Sequence, residues 1–125
     1  MIGRSNRFHG RATIRRLYAN GKSVRSSMLA LRYAPNPRRN AYRLAVVVSR
    51  KISKSAVVRN RIRRRIYERV RILSGSLEAC DLLVTVYDVR VATMASDELD
   101  REVAKLLHKA RITSAETPAH DIVEP

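Results

Sequence analysis

Ten side chains between residues 49 and 71 carry full positive charge, and a single acid stands among them. They are Arg50, Lys51, Lys54, Arg59, Arg61, Arg63, Arg64, Arg65, Arg69 and Arg71, with Glu68 as the lone carboxylate. Arginine outnumbers lysine, and its planar guanidinium can grip a phosphate through two hydrogen bonds or lie flat on a base. Solvated helix faces usually interleave signs, because like charges one turn apart repel by about 0.2–0.5 kcal/mol. Arg61 and Arg65 stand in that unfavourable relation, and Arg64 with Glu68 is the only evident compensation. The stretch therefore reads as a phosphate-binding surface, against the plainer reading of a solvated face. Asn60, inside the run Arg59-Asn60-Arg61, adds what guanidinium lacks. It both donates and accepts, so it can read a 2′-hydroxyl or a base edge. The plainer alternative is a poor helix former left on the surface.

The charge of the whole chain points the same way. The first 67 residues hold 19 Lys or Arg and no Asp or Glu, and all eleven carboxylates fall between Glu68 and Glu124. With a formal charge of +15, such a surface seeks a polyanion. Catalytic constellations are not visible. His9, His108 and His120 are scattered, without cysteine or carboxylate at metal-ligand spacing. Asp97, Glu98, Asp100 and Glu102 invite a magnesium reading, but acids at a helix start are better explained by the helix dipole. The four glycines are isolated and form no phosphate loop. The chain alone is expected to catalyse nothing.

Positioning such a ridge takes one modest domain, which 125 residues at 45% apolar content can supply. No stretch approaches the ~18–20 apolar residues that span a bilayer. The N-terminus is basic but lacks a secretory apolar segment; an Arg-rich presequence is the alternative. Cys80 cannot pair within the chain and reads as a buried, inert thiol. The cytoplasm is the default location.

Ile14, Leu17 and Tyr18 follow helical spacing over residues 10–20, and Asn20-Gly21 supplies a stop. Residues 24–33 alternate as one strand, with Leu29, Leu31 and Tyr33 on one face and Met28, Ala30 and Arg32 on the other. Residues 34–40 read as a loop, and residues 44–48 and 82–87 as apolar strands. Between them, residues 55–73 form the strongest helix. Val58, Ile62, Ile66, Val70 and Leu73 make its apolar stripe, with Asn60, Arg64, Tyr67 and Arg71 on the far side. Arg59, Arg63, Arg65 and Arg69 flank the stripe, and residues 74–76 end the helix. A last helix over residues 97–110 has Ser96 as N-cap and Leu99, Val103, Leu106, Leu107 and Ala110 as its buried face. Residues 112–125 form a loose, disordered tail behind a single domain over residues 1–111. The order is α-β-β-α-β-α, an α/β (α+β) sandwich in which a hairpin, a helical crossover and a third strand build a mixed sheet under helices.

At this point the residues resemble a family. Val46-Val47-Val48-Ser49-Arg50-Lys51, followed by Ala56-Val57-Val58-Arg59-Asn60-Arg61-Ile62-Arg63-Arg64, looks like the protein subunit of bacterial ribonuclease P. Asn6-Arg7-Phe8 before a short helix and Asn20-Gly21-Lys22-Ser23 before the first strand agree in order, and the likeness covers about residues 4–111. The resemblance implies a ribosomal-protein-like fold with a left-handed βαβ crossover and no catalytic residue in the protein. It implies a bacterial cytoplasmic cofactor that binds a catalytic RNA and precursor tRNA and needs no obligatory protein partner. The assembled particle would use Mg2+ to remove the 5′ leader. Arg50, Lys51, Lys54, Arg59, Asn60, Arg61, Arg63, Arg64 and Arg65 would face the catalytic RNA. Ile14, Tyr18 and Arg32 would line the leader groove, although Ile14 stands where the family commonly has an aromatic ring and cannot stack a base. The spacer from Lys51 to Arg59 also lacks the glycine many members carry.

Three readings from other classes compete. A structural binder of ribosomal RNA would share the size and charge. A sequence-specific DNA binder is weaker, because the basic helix follows a strand and no helix-turn-helix is visible. A membrane-surface helix is weakest, because the apolar stripe is needed for the core.

Overall fold

The computed structural model describes residues 11–35, 42–73 and 80–114. The elements run α1 (Arg11–Asn20), β1 (Lys22–Arg25), β2 (Leu29–Pro35), β3 (Arg43–Val47), α2 (Ala56–Leu73), β4 (Cys80–Val86), a 3₁₀ turn (Val89–Ala92) and α3 (Ser96–Ser114). Of the expected loop at residues 34–40, Ala34 and Pro35 belong to β2, and of the expected tail at residues 112–125 the first three belong to α3; the rest of both, and the stop at residues 74–76, lie outside the described residues.

Apolar alternation decides which face each strand buries. Leu29, Leu31 and Tyr33 of β2, Leu44 and Val46 of β3, and Leu82, Val84 and Val86 of β4 point into the main core. Against them pack Ile62, Ile66 and Val70 of α2 and Leu99, Val103, Leu106, Leu107 and Ala110 of α3. The opposite sheet face carries a smaller cluster, in which Leu17 of α1 is buried on Ala45 and Leu83 with Ile14, Ala34 and Val47 beside it. Burying one leucine fully is worth about 1.5–3 kcal/mol, so Leu17 is the main apolar tether of α1. Two layers of helix thus enclose one sheet, as the α/β sandwich reading expects.

The sheet departs from expectation in strand number and order. Residues 24–33 are not one strand. A turn breaks them, with the Ser26 amide donating to the Leu29 carbonyl at 2.8 Å and the Leu29 amide donating to Ser26 Oγ at 3.3 Å. The short β1 folds back antiparallel on β2. Met28 sits in that turn and packs on the main core, not on the face of Ala30 and Arg32. The order is β1-β2-β4-β3, so β2 and β3 are not hairpin partners. β4 enters between them, antiparallel to β2 and parallel to β3. Its apolar residues Leu82, Leu83, Val84 and Val86 suit the interior position, where both faces are covered.

The helices differ at their margins. Tyr67, expected on the outer side of α2, is 9% exposed and belongs to the main core. The buried arc of α2 takes in Tyr67 beside Ile62, Ile66 and Val70, and the 3₁₀ turn, α3 and β3 all pack on the helix. α3 begins one residue earlier than expected and continues past Ala110 to Ser114. Ala95 receives its first two amides, from Glu98 and Leu99, at 3.1 and 3.0 Å. Among the described residues no helix is long and apolar enough to cross a membrane.

Candidate nucleic-acid interface

The ridge starts at the end of β3. Residues 49–55 turn tightly, with the Ile52 amide donating to the Ser49 carbonyl at 3.0 Å and the Ser55 amide to Ser53 Oγ at 3.2 Å. Ser55 Oγ then accepts from the Val58 amide at 3.3 Å, which caps α2. No acid occupies the first turn of α2, so the positive end of the helix dipole adds to exposed Arg50, Lys51 and Lys54.

Along α2 the arginines divide by what they touch. Arg61 and Arg64 are exposed and have no carboxylate partner among the described residues. Arg59 is half-buried and donates to the Ser53 carbonyl at 2.9 Å, holding the entry turn. Arg63 donates to Asn60 Oδ1 at 2.6 Å, which occupies one acceptor of that amide and leaves its NH2 free to present. Arg65 is committed inward. Its two terminal nitrogens donate to the Val91 and Met94 carbonyls at 2.8 and 2.7 Å, pinning α2 to the chain before α3. Arg69 reaches Asp100 on α3 at 3.1 Å.

Glu68 pairs with Arg71, not with Arg64 as expected from spacing. The Arg71 guanidinium hydrogen-bonded to it pulls the Glu68 carboxyl from 4.5 to about 2. Arg64 is thereby left without the compensation that i,i+4 spacing offered, which sharpens the ridge.

The second surface lies across the sheet, under α1. Tyr18 is 49% exposed, and the Arg32 guanidinium lies 4.6 Å from its ring centroid while donating to its carbonyl at 3.4 Å. Ile14 is half-buried on the small cluster and forms wall, not platform. The three expected groove residues therefore come together on α1 and β2. The floor is built of small residues: Ala30 faces this side by strand alternation, and Ala34 and Ala45 pack under α1. Beneath it, Asp81 of β4 accepts two hydrogen bonds from Arg43 at 2.9 and 3.1 Å and one from Arg16 of α1 at 3.4 Å.

Two features of this face escape a reading of the sequence alone. One is the Asp81 pairing, which needs the β3–β4 register. The other is a second stacked pair, Arg25 over the ring of Tyr87 at 4.7 Å, which needs β1 to be seen as a separate strand. Among the described residues no group of three or more His, Cys, Asp or Glu could hold a metal ion. The acids at the start of α3 complement the helix dipole, and Asp100 serves Arg69.

Comparison with known proteins addresses the same residues. The model of the family described as Ribonuclease P matches residues 2–111. The ribonuclease P protein component of Chloroflexus aggregans is 36% identical over 123 residues, covering 98% of this chain and 88% of that protein. That of Clostridium kluyveri is 38% identical over 101 residues, covering 79% and 88%. Among solved structures, the Staphylococcus aureus RNase P protein superposes with a TM-score of 0.75 at 25% identity, covering 86% of this chain and 96% of that one.

Proposed function

The chain belongs to the ribonuclease P protein family, and from that premise we propose that it binds the catalytic RNA of the enzyme along α2 and the 5′ leader of precursor tRNA under α1. As a ribonuclease P component it has a part in tRNA processing. The observation that carries the finer reading is the division of labour across the sheet. An arginine ridge with uncompensated Arg61 and Arg64 stands on one side, and an aromatic–guanidinium pair over a small-residue floor stands on the other.

In this reading the protein does no chemistry. Arg50, Lys51, Lys54, Arg59, Arg61, Arg63 and Arg64 lie against phosphates of the RNA, and Asn60 offers its amide to a 2′-hydroxyl or base edge. Arg65 acts at one remove, because it holds α2 against the Val91 and Met94 carbonyls. Tyr18 stacks an unpaired leader base, worth about 1–3 kcal/mol per base, and Arg32 keeps the ring in place while neutralising phosphate. In this reading Mg2+ is held by the RNA partner. The protein favours it by screening phosphate repulsion where RNA and leader converge. The particle works in the cytoplasm and needs no further protein subunit.

The test is reconstitution with a ribonuclease P RNA. The isolated chain should leave precursor tRNA uncut, and adding it to the RNA should lower the Mg2+ needed for cleavage. An unchanged Mg2+ requirement would refute the proposal.

A further inference from the structure

We infer that Tyr87, with Arg25 stacked on its ring, is a second base-stacking station, so that the sheet holds the leader at two points. The inference rests on the leader reading above and extends it to residues outside the Tyr18 wall.

The geometry begins with register. Arg25 is the partner of Ala30, and Ala30 stands between Leu29 and Leu31, which both point into the main core. Successive strand residues alternate faces, so Arg25 shares the outer face with Ala30 and Arg32. Its guanidinium lies 4.7 Å from the Tyr87 centroid, which puts that ring on the same face. The construction repeats that of Tyr18 and Arg32, where the distance is 4.6 Å. Both rings stay about half exposed, at 48% and 49%.

Both partners of the second pair are anchored through their backbones. The Tyr87 amide donates to the Met28 carbonyl at 2.9 Å, and the Arg25 carbonyl accepts from Lys109 of α3 at 3.2 Å. An anchored, half-exposed ring offers a π-face at little entropic cost, and the arginine beside it favours a polyanion over an apolar ligand. Between the two pairs lie Ala30 and its register partner Thr85, too small to block a strand passing over them.

Register also sets the span. Arg32 is opposite Leu83, and Tyr87 lies four residues further along β4, about 13 Å at the rise of an extended strand. Stacked bases in a helical strand step by about 3.4 Å, so neighbouring stacked bases cannot reach both rings. The stations suit two bases of a splayed single strand with at least one nucleotide between them. β3 runs parallel to β4 with Val47 opposite Thr85, so the turn bearing Arg50 and Lys51 leaves the sheet at the Tyr87 end. The second station therefore lies at the end of the sheet from which the basic turn departs.

The experiment uses the reconstituted holoenzyme and precursor tRNAs whose leaders grow one nucleotide at a time. Affinity is measured for wild type, Tyr18→Ala, Tyr87→Ala, Tyr87→Phe and Tyr87→Leu. The deficit of Tyr87→Ala should widen to about 5- to 150-fold once the leader is long enough to reach from the Tyr18 row to the Tyr87 row. Tyr87→Phe should match wild type, and Tyr87→Leu, which keeps an apolar cover under Arg25 without a π-face, should match the alanine variant. If Tyr87→Leu binds long leaders as well as wild type, the ring is only cover and the inference is overturned. If Tyr87→Ala matches wild type at every length while Tyr18→Ala is impaired, the second station falls and the groove stands. If neither variant is impaired at any length, the leader reading itself falls.

Discussion

Arg43 and Asp81 face each other across the β3–β4 register and join through paired hydrogen bonds of 2.9 and 3.1 Å, with Asp81 only 2% exposed. Arg16 of α1 reaches the same carboxylate at 3.4 Å, so one buried acid ties an edge strand and a helix to the central strand. Removing one member of a buried pair costs about 3–5 kcal/mol, because the other charge is left uncompensated. Asp81→Asn should fall toward the lower end of that range, since Arg43 retains partial access to water. Urea unfolding should show the loss, and Arg43→Met with Asp81→Leu should recover much of it. A single variant as stable as wild type would remove this pair from the account of the sheet.

Gly21 is required by space. A Cβ there would lie 2.6 Å from the Leu17 carbonyl oxygen and 3.1 Å from that of Tyr33, both backbone atoms. The Gly21 amide already donates to the Leu17 carbonyl at 2.8 Å, closing α1. Gly21→Ala should cost about 1–3 kcal/mol, the usual range for overpacking, and should displace α1 from β2. Leader affinity and thermal stability are expected to fall together; an unaffected melting temperature would contradict the tight approach.

Arg61 and Arg64 should act on RNA, while Arg65 should act on the fold. Replacing Arg59, Arg61 and Arg64 with Gln should flatten the log–log salt dependence of RNA binding by about 0.7–0.9 per lost phosphate contact. Arg65→Gln should instead lower stability by about 1–3 kcal/mol, because two carbonyls lose a charged donor. A triple variant with the wild-type salt slope would take α2 out of the interface.

The Glu68–Arg71 pair makes stability depend on acid. The Glu68 carboxyl is lowered from 4.5 to about 2 in the folded chain. A depressed carboxyl contributes stability that is present above its unfolded pKa and lost as pH falls through the folded one. Wild type should therefore exceed Glu68→Gln in stability above pH 4.5, with the gap closing between 4.5 and about 2. Chemical unfolding at several pH values checks this, and a gap independent of pH would contradict it. Asp88, lowered by its hydrogen bonds from Arg90, should behave in the same sense.

Much of this architecture is legible in the sequence. α2 and α3 declare themselves through 3.6-residue periodicity, and the buried faces of Ile62, Ile66 and Leu99 follow from it. What stayed hidden depends on partners distant in sequence. β1 merges with β2 in a continuous alternation, and the bonds joining the Ser26 amide and hydroxyl to Leu29 mark the break. The insertion of β4 between β2 and β3 is a non-local pairing that no apolar run encodes. Tyr67 lies about 100° round the helix from Ile66, so periodicity alone leaves it outside the apolar stripe, yet it joins the core. On the site, the density of arginine was plain. Its sorting into Arg61 and Arg64 facing out and Arg65 facing in required the carbonyls of Val91 and Met94.

The position of β4 has a consequence for biosynthesis. Among the described residues it is the last strand in chain order and the one that joins β2 to β3, so this sheet cannot close until more than half the chain has emerged. Until then the polycationic segment travels through a ribosome-crowded space without its scaffold. Long-range closure of this kind is slow and exposes apolar strand edges meanwhile.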